Sequence, residues 1–308
     1  MNKFSAQDIA LKPCFRSETL HSFTHIPVPS EKICRVRGEN LCFPPINDTR
    51  PYTIASFVNS VDGRLAFNDK PSAFYIAAKN MYAGNGSTAD FWMLNALRCV
   101  ADAALIGGNS MATDADYLMT VLDDDLQRDR ISAGLHEHPL NIIMSLDCTD
   151  VPLEHELLKQ STVPRLLVTS PKGYAHIKAH LKIPYKLLEK DTPCDLFKAE
   201  KELPVFISGT DALTDVKEIM HFLRKNGIKL LLIEAPGYAH YLITQGMMDE
   251  FFLNRSGIYV GGNDTMVFGK HTKGFKADVH PHMKLLSFDI YNEFFTFGRY
   301  QFMYDDII

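Results

Sequence analysis

Between Val205 and Ile233 the chain is apolar, then amphipathic, then apolar again, and this order constrains the fold more than any other stretch. Val205–Ile207 and Lys229–Ile233 read as strands. Between them Val216, Ile219, Met220 and Leu223 fall at i, i+3, i+4 and i+7, Asp215 and Glu218 are spaced as a capping box, and Asn226-Gly227 supplies a stop. A strand, a crossover helix and a second strand imply parallel pairing with a right-handed connection. The same texture extends over Tyr52–Val58, Ala103–Ile106, Leu140–Met144, Arg165–Thr169 and Glu250–Asn254, and ends in an aromatic-rich stretch, Phe294–Tyr304, expected to be a long late strand with a Gly bulge. The expected class is therefore α/β: three layers, with a mostly parallel central sheet flanked by helices.

Residues 1–50 differ. They hold five of the 16 prolines (Pro13, Pro27, Pro29, Pro44, Pro45) and three of the six cysteines (Cys14, Cys34, Cys42). They read as an irregular arm, yet Phe15, Phe23, Ile26, Ile33, Leu41 and Phe43 make it too apolar for a free linker. It is expected to pack on the main domain, residues 51–308, or on a partner subunit. The net charge of −5 gives no electrostatic reason to bind nucleic acid or an anionic membrane. The start of the chain lacks a secretory apolar run, no stretch approaches the roughly 18 apolar residues of a membrane span, and the cysteines show no CxxC spacing. The expected setting is the cytoplasm.

Ligands of parallel sheets lie beyond the strand carboxyl ends, and three segments qualify. In Ala103 to Ser110, Gly107, Gly108 and Asn109 form a turn that lets a phosphate or ribose approach the backbone, with Ser110 as a donor; the same residues also suit an ordinary turn. In Leu230 to His240 a strand ends at Glu234 and a helix begins at Pro236, so the carboxylate either serves the site or caps the helix, whose N–H groups suit a pyrophosphate. The third, Ser56 to Arg64, ends in an Asp62-Gly63 turn. His176 with His180, and His280 with His282, read as surface histidines without further ligands, so no metal is expected. Asp123 to Asp125 reads as a solvated face or a helix start. No nucleophile elbow, Walker loop or Rossmann glycine pattern occurs.

Taken in order, Arg50 to Ile54, Asn59 to Ala66, Leu97 to Gly107, Leu230 to Glu234 and Gly246 to Glu250 resemble the pyrimidine reductase domain of riboflavin biosynthesis, the reductase half of the bacterial bifunctional deaminase-reductase, over about residues 50–308. The resemblance implies a dihydrofolate-reductase-like fold, a homodimer, and an NADPH-dependent reductase of the 5-amino-6-(5-phosphoribosylamino)uracil reductase type. The deaminase's zinc signature is absent, since His136-Glu137-His138 lacks its cysteine pair. Position by position, the resemblance places Ser110 and Asp114, with Gly107 and Asn109, beside NADPH. It gives Arg98 and Glu234 to substrate, Val58 to the small residue beside the cofactor, and Ser72 to Ile76 to a segment touching both ligands, with Tyr75 as an aromatic wall. Pro236, Gly237, Tyr238 and Ala239 would hold the cofactor at the helix N-terminus. From the residues alone, Arg98 reads equally as a cation at a helix carboxyl end.

Three departures stand out. Ala235 and Pro236 replace two permissive glycines, and Pro236 removes an N–H. Val121 stands where the family carries an arginine that helps hold a substrate anion, and a valine cannot pair with phosphate. Ser56 replaces an early lysine. A related reductase with another acceptor such as a pterin, or a catalytically retired nucleotide-binding homologue, are the alternatives these departures leave.

Overall fold

The computed structural model describes residues 9–113, 116–198, 201–270 and 272–304. In chain order these residues form β1 (Lys12–Arg16), α1 (Glu31–Arg37), β2 (Tyr52–Asn59), α2 (Phe74–Ala78), α3 (Gly86–Val100), β3 (Ala103–Gly107), α4 (Gly108–Met111), α5 (Asp124–Ser132) and β4 (Leu140–Met144). There follow α6 (Glu156–Lys159), β5 (Arg165–Thr169), α7 (Pro171–His180), β6 (Tyr185–Leu188), β7 (Leu203–Ile207), α8 (Val216–Lys225), β8 (Leu230–Ile233), α9 (Pro236–Thr244), β9 (Glu250–Ser256), β10 (His282–Asn292) and β11 (Phe295–Met303). Among the described residues no helix is long and apolar enough to cross a membrane.

All the strands join one sheet in the order β1-β10-β11-β9-β2-β8-β3-β4-β5-β7-β6. From β9 to β6 neighbours are parallel, and the three pairings among β1, β10, β11 and β9 are antiparallel. Period-two alternation splits the core between the two faces: Ala104 and Ile106 of β3 pack with Trp92, Ala96 and Leu97 of α3, whereas Leu105 packs with Ile219, Phe222 and Leu242 of α8 and α9. The chain thus works outward from β3 to β5 with its helices on one face, then returns across the other face through α8 to insert β8 between β2 and β3.

Helix α3 is positioned by its buried stripe, Ala89, Trp92, Met93, Ala96, Leu97 and Val100, at helical spacing. Its carboxyl end is closed by Arg130 from α5, whose Nη1 donates to the carbonyls of Arg98, Cys99 and Ala101 at 3.1, 2.7 and 2.6 Å. Burial lowers this guanidinium to about 10, still far above neutrality, so a full cation faces the negative end of the helix. The Asp123 run is a helix start, but a buried one: the Asp123 carboxylate caps α5, pairs with Lys32 of α1 at 2.5 Å and accepts from the Trp92 indole at 3.3 Å.

Several expectations change. The segment before residue 50 is not irregular throughout, since β1 extends the sheet edge, α1 packs on α5, and Ile33, Val36, Leu41 and Phe43 share a core with α3. The late strand β11 is regular at Gly298, which pairs with Phe288 and Leu253; the register shifts of this hairpin lie on β10. Gly298 is needed for space, because a Cβ there would stand 2.5 Å from the Tyr300 ring. In α8, Asp215 caps as expected, but the Glu218 carboxylate turns to the Ser208 hydroxyl at 2.6 Å and the Gly209 amide at 2.9 Å, so the box is not reciprocal.

Replacing Arg130 by Met leaves three helix-end carbonyls without their donor and should lower unfolding free energy by about 3 kcal/mol with an unchanged denaturant slope; a loss under about 1 kcal/mol would contradict the capping role. A second test concerns Asp90 of α3, which burial pushes up to about 7 against the single favourable hydrogen bond from Asn254 at 2.7 Å. Because the folded value lies above the unfolded one, the stabilising contribution is complete below about pH 4 and is lost as pH rises to about 7, by up to about 4 kcal/mol. Urea melts across that window should show this slope in the native protein and a flattened one in Asp90→Asn.

Candidate active site

The carboxyl ends of β3 and β8 meet at the centre of the sheet. The Glu234 amide donates to the Leu105 carbonyl at 2.8 Å, continuing the β3–β8 ladder one residue past the strand and aiming the side chain at α3. There Arg98 takes both carboxylate oxygens, Nε to Oε1 at 2.7 Å and Nη2 to Oε2 at 2.6 Å. Tyr117 completes the group: its hydroxyl donates to Glu234 Oε2 at 2.8 Å, accepts from Arg98 Nη2, and its ring lies 5.2 Å from the guanidinium carbon. Arg98 Nη1 donates to the Thr120 carbonyl at 3.3 Å. With side-chain exposures of 1% for Arg98 and 6% for Glu234, this is a desolvated ion pair whose geometry is set by α3, β8 and the 117–121 segment together.

That segment is strapped down by two buried asparagines. Asn141 Oδ1 accepts from the Met119 amide and Asn95 Oδ1 from the Leu122 amide, both at 2.8 Å. Electrostatics follow from the packing. Burial alone would lower the Arg98 pKa, but the Glu234 carboxylate and the Tyr117 hydroxyl beside it raise it overall. Burial raises the Tyr117 phenol, and the opposing effect of Arg98 does not cancel this. Arg98 therefore remains a cation, and Tyr117 remains a donor.

Helix α9 has Ala235 at its N-cap and no side-chain cap, so Glu234 is not a capping residue. Nor does Arg98 close the carboxyl end of α3, since Arg130 does. Of the expected cofactor residues, Gly107 lies against Ala235, 3.8 Å from the position of a Cβ, while Asn109 is exposed and Ser110 half-buried on α4. Gly237 faces open space. The Tyr238 ring packs toward the α9-side core with its hydroxyl buried. Ala239 is a correction, because it is fully buried and spends its N–H on the Ala235 carbonyl at 2.9 Å, leaving nothing to offer a phosphate. Val58 is buried in the α3-side core. Ser72 and Tyr75 lie between β2 and α3 with local hydrogen bonds, and the Lys70 ammonium stands 5.0 Å from the Tyr75 ring centre. Asp114 lies outside the described residues. Val121 is 3% exposed within the core.

Two residues escaped the sequence reading. Tyr117 carries no motif of its own. Asp62, read as part of an ordinary turn, accepts from the Ser60 hydroxyl at 2.6 Å and from the Gly261 and Val260 amides at 2.7 and 3.1 Å, fastening the turn after β2 to the loop after β9. Burial opposes its ionisation, but these donors outweigh it and hold the carboxyl at about 2.

Removing Arg98, as in Arg98→Met, strands a desolvated carboxylate and should cost about 3–5 kcal/mol, whereas Tyr117→Phe leaves the ion pair and should cost about 1–2 kcal/mol. Equal losses in denaturant melts would mean that the pair and the phenol do not have the separate roles assigned to them.

A family model described as the RibD C-terminal domain matches residues 51–293. The chain is 23% identical over 217 residues to the 2,5-diamino-6-ribosylamino-4(3H)-pyrimidinone 5′-phosphate reductase of Archaeoglobus fulgidus, covering 70% of this chain and 84% of that protein. A pyrimidine reductase-like protein from Corynebacterium diphtheriae shares the fold with a TM-score of 0.59 at 18% identity, over 83% of this chain and 93% of that one. The riboflavin biosynthesis reductase of Saccharomyces cerevisiae does so with a TM-score of 0.52 at 12% identity, over 86% and 94%. With more than half of its length matched by the model, the chain belongs to the RibD C-terminal domain family.

Proposed function

We propose that the protein is a nicotinamide-dependent reductase acting on a small heterocyclic or ribosylamino acceptor of the riboflavin-pathway type. The observation that carries this reading is the buried Arg98–Glu234 pair, closed by Tyr117, at the carboxyl ends of β3 and β8. A reduced nicotinamide, when bound, supplies a hydride to a C=N or C=O carbon of the acceptor. The protein's part is to orient and to exclude water. Arg98 spends four of its five N–H donors on Glu234, Tyr117 and Thr120, so its task is to hold the Glu234 carboxylate in place. Glu234 accepts three of these bonds and keeps acceptor capacity for a substrate N–H or O–H. The open amide face at Gly237 and the side-chain-free turn at Gly107 suit the close approach of a dinucleotide backbone. The resemblance implies NADPH as the donor and a homodimer as the assembly.

A changed acceptor is the second reading, and one observation favours it. Val121 is buried in the α3-side core, so no cation stands at the position that the resemblance gives to an anion-binding arginine. An acceptor without that phosphate, a pterin among them, fits this arrangement.

The test is oxidation of reduced nicotinamide with the ribosylamino-pyrimidine phosphate and with dihydrofolate as alternative acceptors. Glu234→Gln should lower kcat/KM by about a hundredfold or more while cofactor affinity stays within about threefold, because the carboxamide keeps the shape but weakens acceptance from the substrate. Unchanged turnover in that variant would refute the substrate role of Glu234.

A further inference from the structure

Arg37, the last residue of α1, is 1% exposed, and its Nε and Nη1 donors meet no acceptor of the protein. Burial pulls this guanidinium down to about 10, with the Asp289 carboxylate opposing the shift, so it is a cation at neutral pH. It is aimed into a buried cavity of about 10 Å³ between α1, α3 and the antiparallel strands β9, β11 and β10, with Met93 and Phe297 as apolar walls. Asn254, Ser287 and Asp289 are the other polar side chains with bonding capacity there, and all three are buried. Asn254 gives its Nδ2 to Asp90 at 2.7 Å, and its Oδ1 is left to accept. The Ser287 hydroxyl offers both a donor and lone pairs. Asp289 Oδ1 stands 2.6 Å from Arg16 Nη1 as an ion pair, but that contact lacks hydrogen-bond geometry and leaves the oxygen unsatisfied. Arg299, the second cation at this cavity, is already held by Glu250 at 2.6 Å and by the Cys42 carbonyl at 2.7 Å.

Two unmet donors on a buried cation and an unmet oxygen on a buried carboxylate carry a large desolvation cost, and folded proteins meet such groups with protein atoms or ordered water. Size and charge limit what can meet them here. Room for about one water-sized sphere excludes an organic ligand. The two charges also exclude ions of either sign, because an anion would face Asp289 and a cation would face Arg37 and Arg299. A neutral molecule that accepts from the guanidinium and donates to the carboxylate or the amide oxygen meets both needs, and water does so with the two to four polar partners it requires. These partners come from distant parts of the chain: Arg37 ends the helix of the segment before residue 50, whereas Ser287 and Asp289 belong to β10.

We propose that this cavity is a binding site for one structural water molecule, which accepts from Arg37, donates to Asp289 or Asn254, and so fastens α1 to the antiparallel part of the sheet. The test is a crystal structure of the full chain at a resolution that shows ordered water, with a second crystal soaked in bromide. The expected result is density within about 2.7–3.2 Å of Arg37 Nε or Nη1 and of a polar atom of Asp289, Asn254 or Ser287, with no bromide signal. A bromide peak, a cavity without density, or Arg37 bonded directly to Asp289 would overturn the proposal. In solution, the sign of a filling substitution separates a hydrated cavity from a dry one. Ser287→Val takes up the space of the water and strands the Arg37 donors, so it should lower the urea midpoint by about 0.5–1 M. In an Arg37→Met background the same substitution should leave the midpoint within about 0.2 M or raise it, because no donor is left to strand. Equal shifts in the two backgrounds would overturn the proposal. A Ser287→Val chain that folds only beside Arg37→Met shows the same coupling at its limit, and if Arg37→Met itself does not fold, the crystal structure of the native protein decides.

Discussion

Burying the Arg98 guanidinium is the constraint on which the centre of the molecule depends. Stripping water from a cation and a carboxylate costs several kcal/mol per ion, and the pair recovers this only when every donor and lone pair finds a well-placed partner. Arg98, on α3, finds three partner residues on two other segments: Glu234 after β8, and Tyr117 and Thr120 on the strap before α5. None of the three can shift by a residue without leaving a charge unpaired. The candidate site is therefore rigid for the same reason that the fold is specific, and rigidity of this kind is what a reaction that must hold donor and acceptor at reacting distance requires.

The same physics recurs twice at other joints. Arg130 satisfies the carboxyl end of α3, and so fixes the helix from which Arg98 projects. Arg299 of β11 pairs with the fully buried Glu250 of β9 at 2.6 Å, donates to the Cys42 carbonyl at 2.7 Å, and sits within 4.9–5.5 Å of the Phe43, Phe252 and Phe23 ring centres. Tyr52 donates to the same glutamate at 2.7 Å. Through this cation the segment before β2 is joined to the antiparallel edge by a charge that needs it, as well as by apolar contact, and its loss would expose both Arg299 and the aromatic rings around it.

How much of this is legible in the sequence follows from what the signals are made of. Strands buried on both faces, such as β3, β4 and β5, announce themselves as short apolar runs, and α8 by its spacing, because burial itself writes those patterns. β10 and β1 leave weaker marks. His282–Asn292 is mostly half-exposed or exposed, and Lys12–Arg16 is an exposed edge strand carrying a proline, so their pairing comes from neighbours and not from composition. At the site, Arg98 and Glu234 are recognisable by motif, whereas Tyr117 is not, because its role exists only once Asn141 and Asn95 hold its segment against α3. Asp62 is similar: three donors from two loops give it meaning, and two of them come from residues 260 and 261.

The strand order explains why the candidate site draws on such distant residues. Helices α3 to α7 lie between successive strands on one face, so β3, β4 and β5 can be assembled from near neighbours. β8 cannot. It enters between β2 and β3 only after the chain has returned from the far edge through α8, and it brings Glu234 to Arg98 across 136 positions of sequence. Closing so long a loop is entropically unfavourable, and contacts of this separation are made late unless the local ones already hold their halves in place. Arg130 and the asparagine strap hold those halves, α3 and the 117–121 segment, through contacts that do not involve the carboxylate. The insertion of β8 then does two things in one step: it completes the parallel ladder through Leu105 and it neutralises the buried cation. A chain in which β8 is not inserted keeps Arg98 unpaired in an apolar setting, so the completed sheet and the completed site stand or fall together.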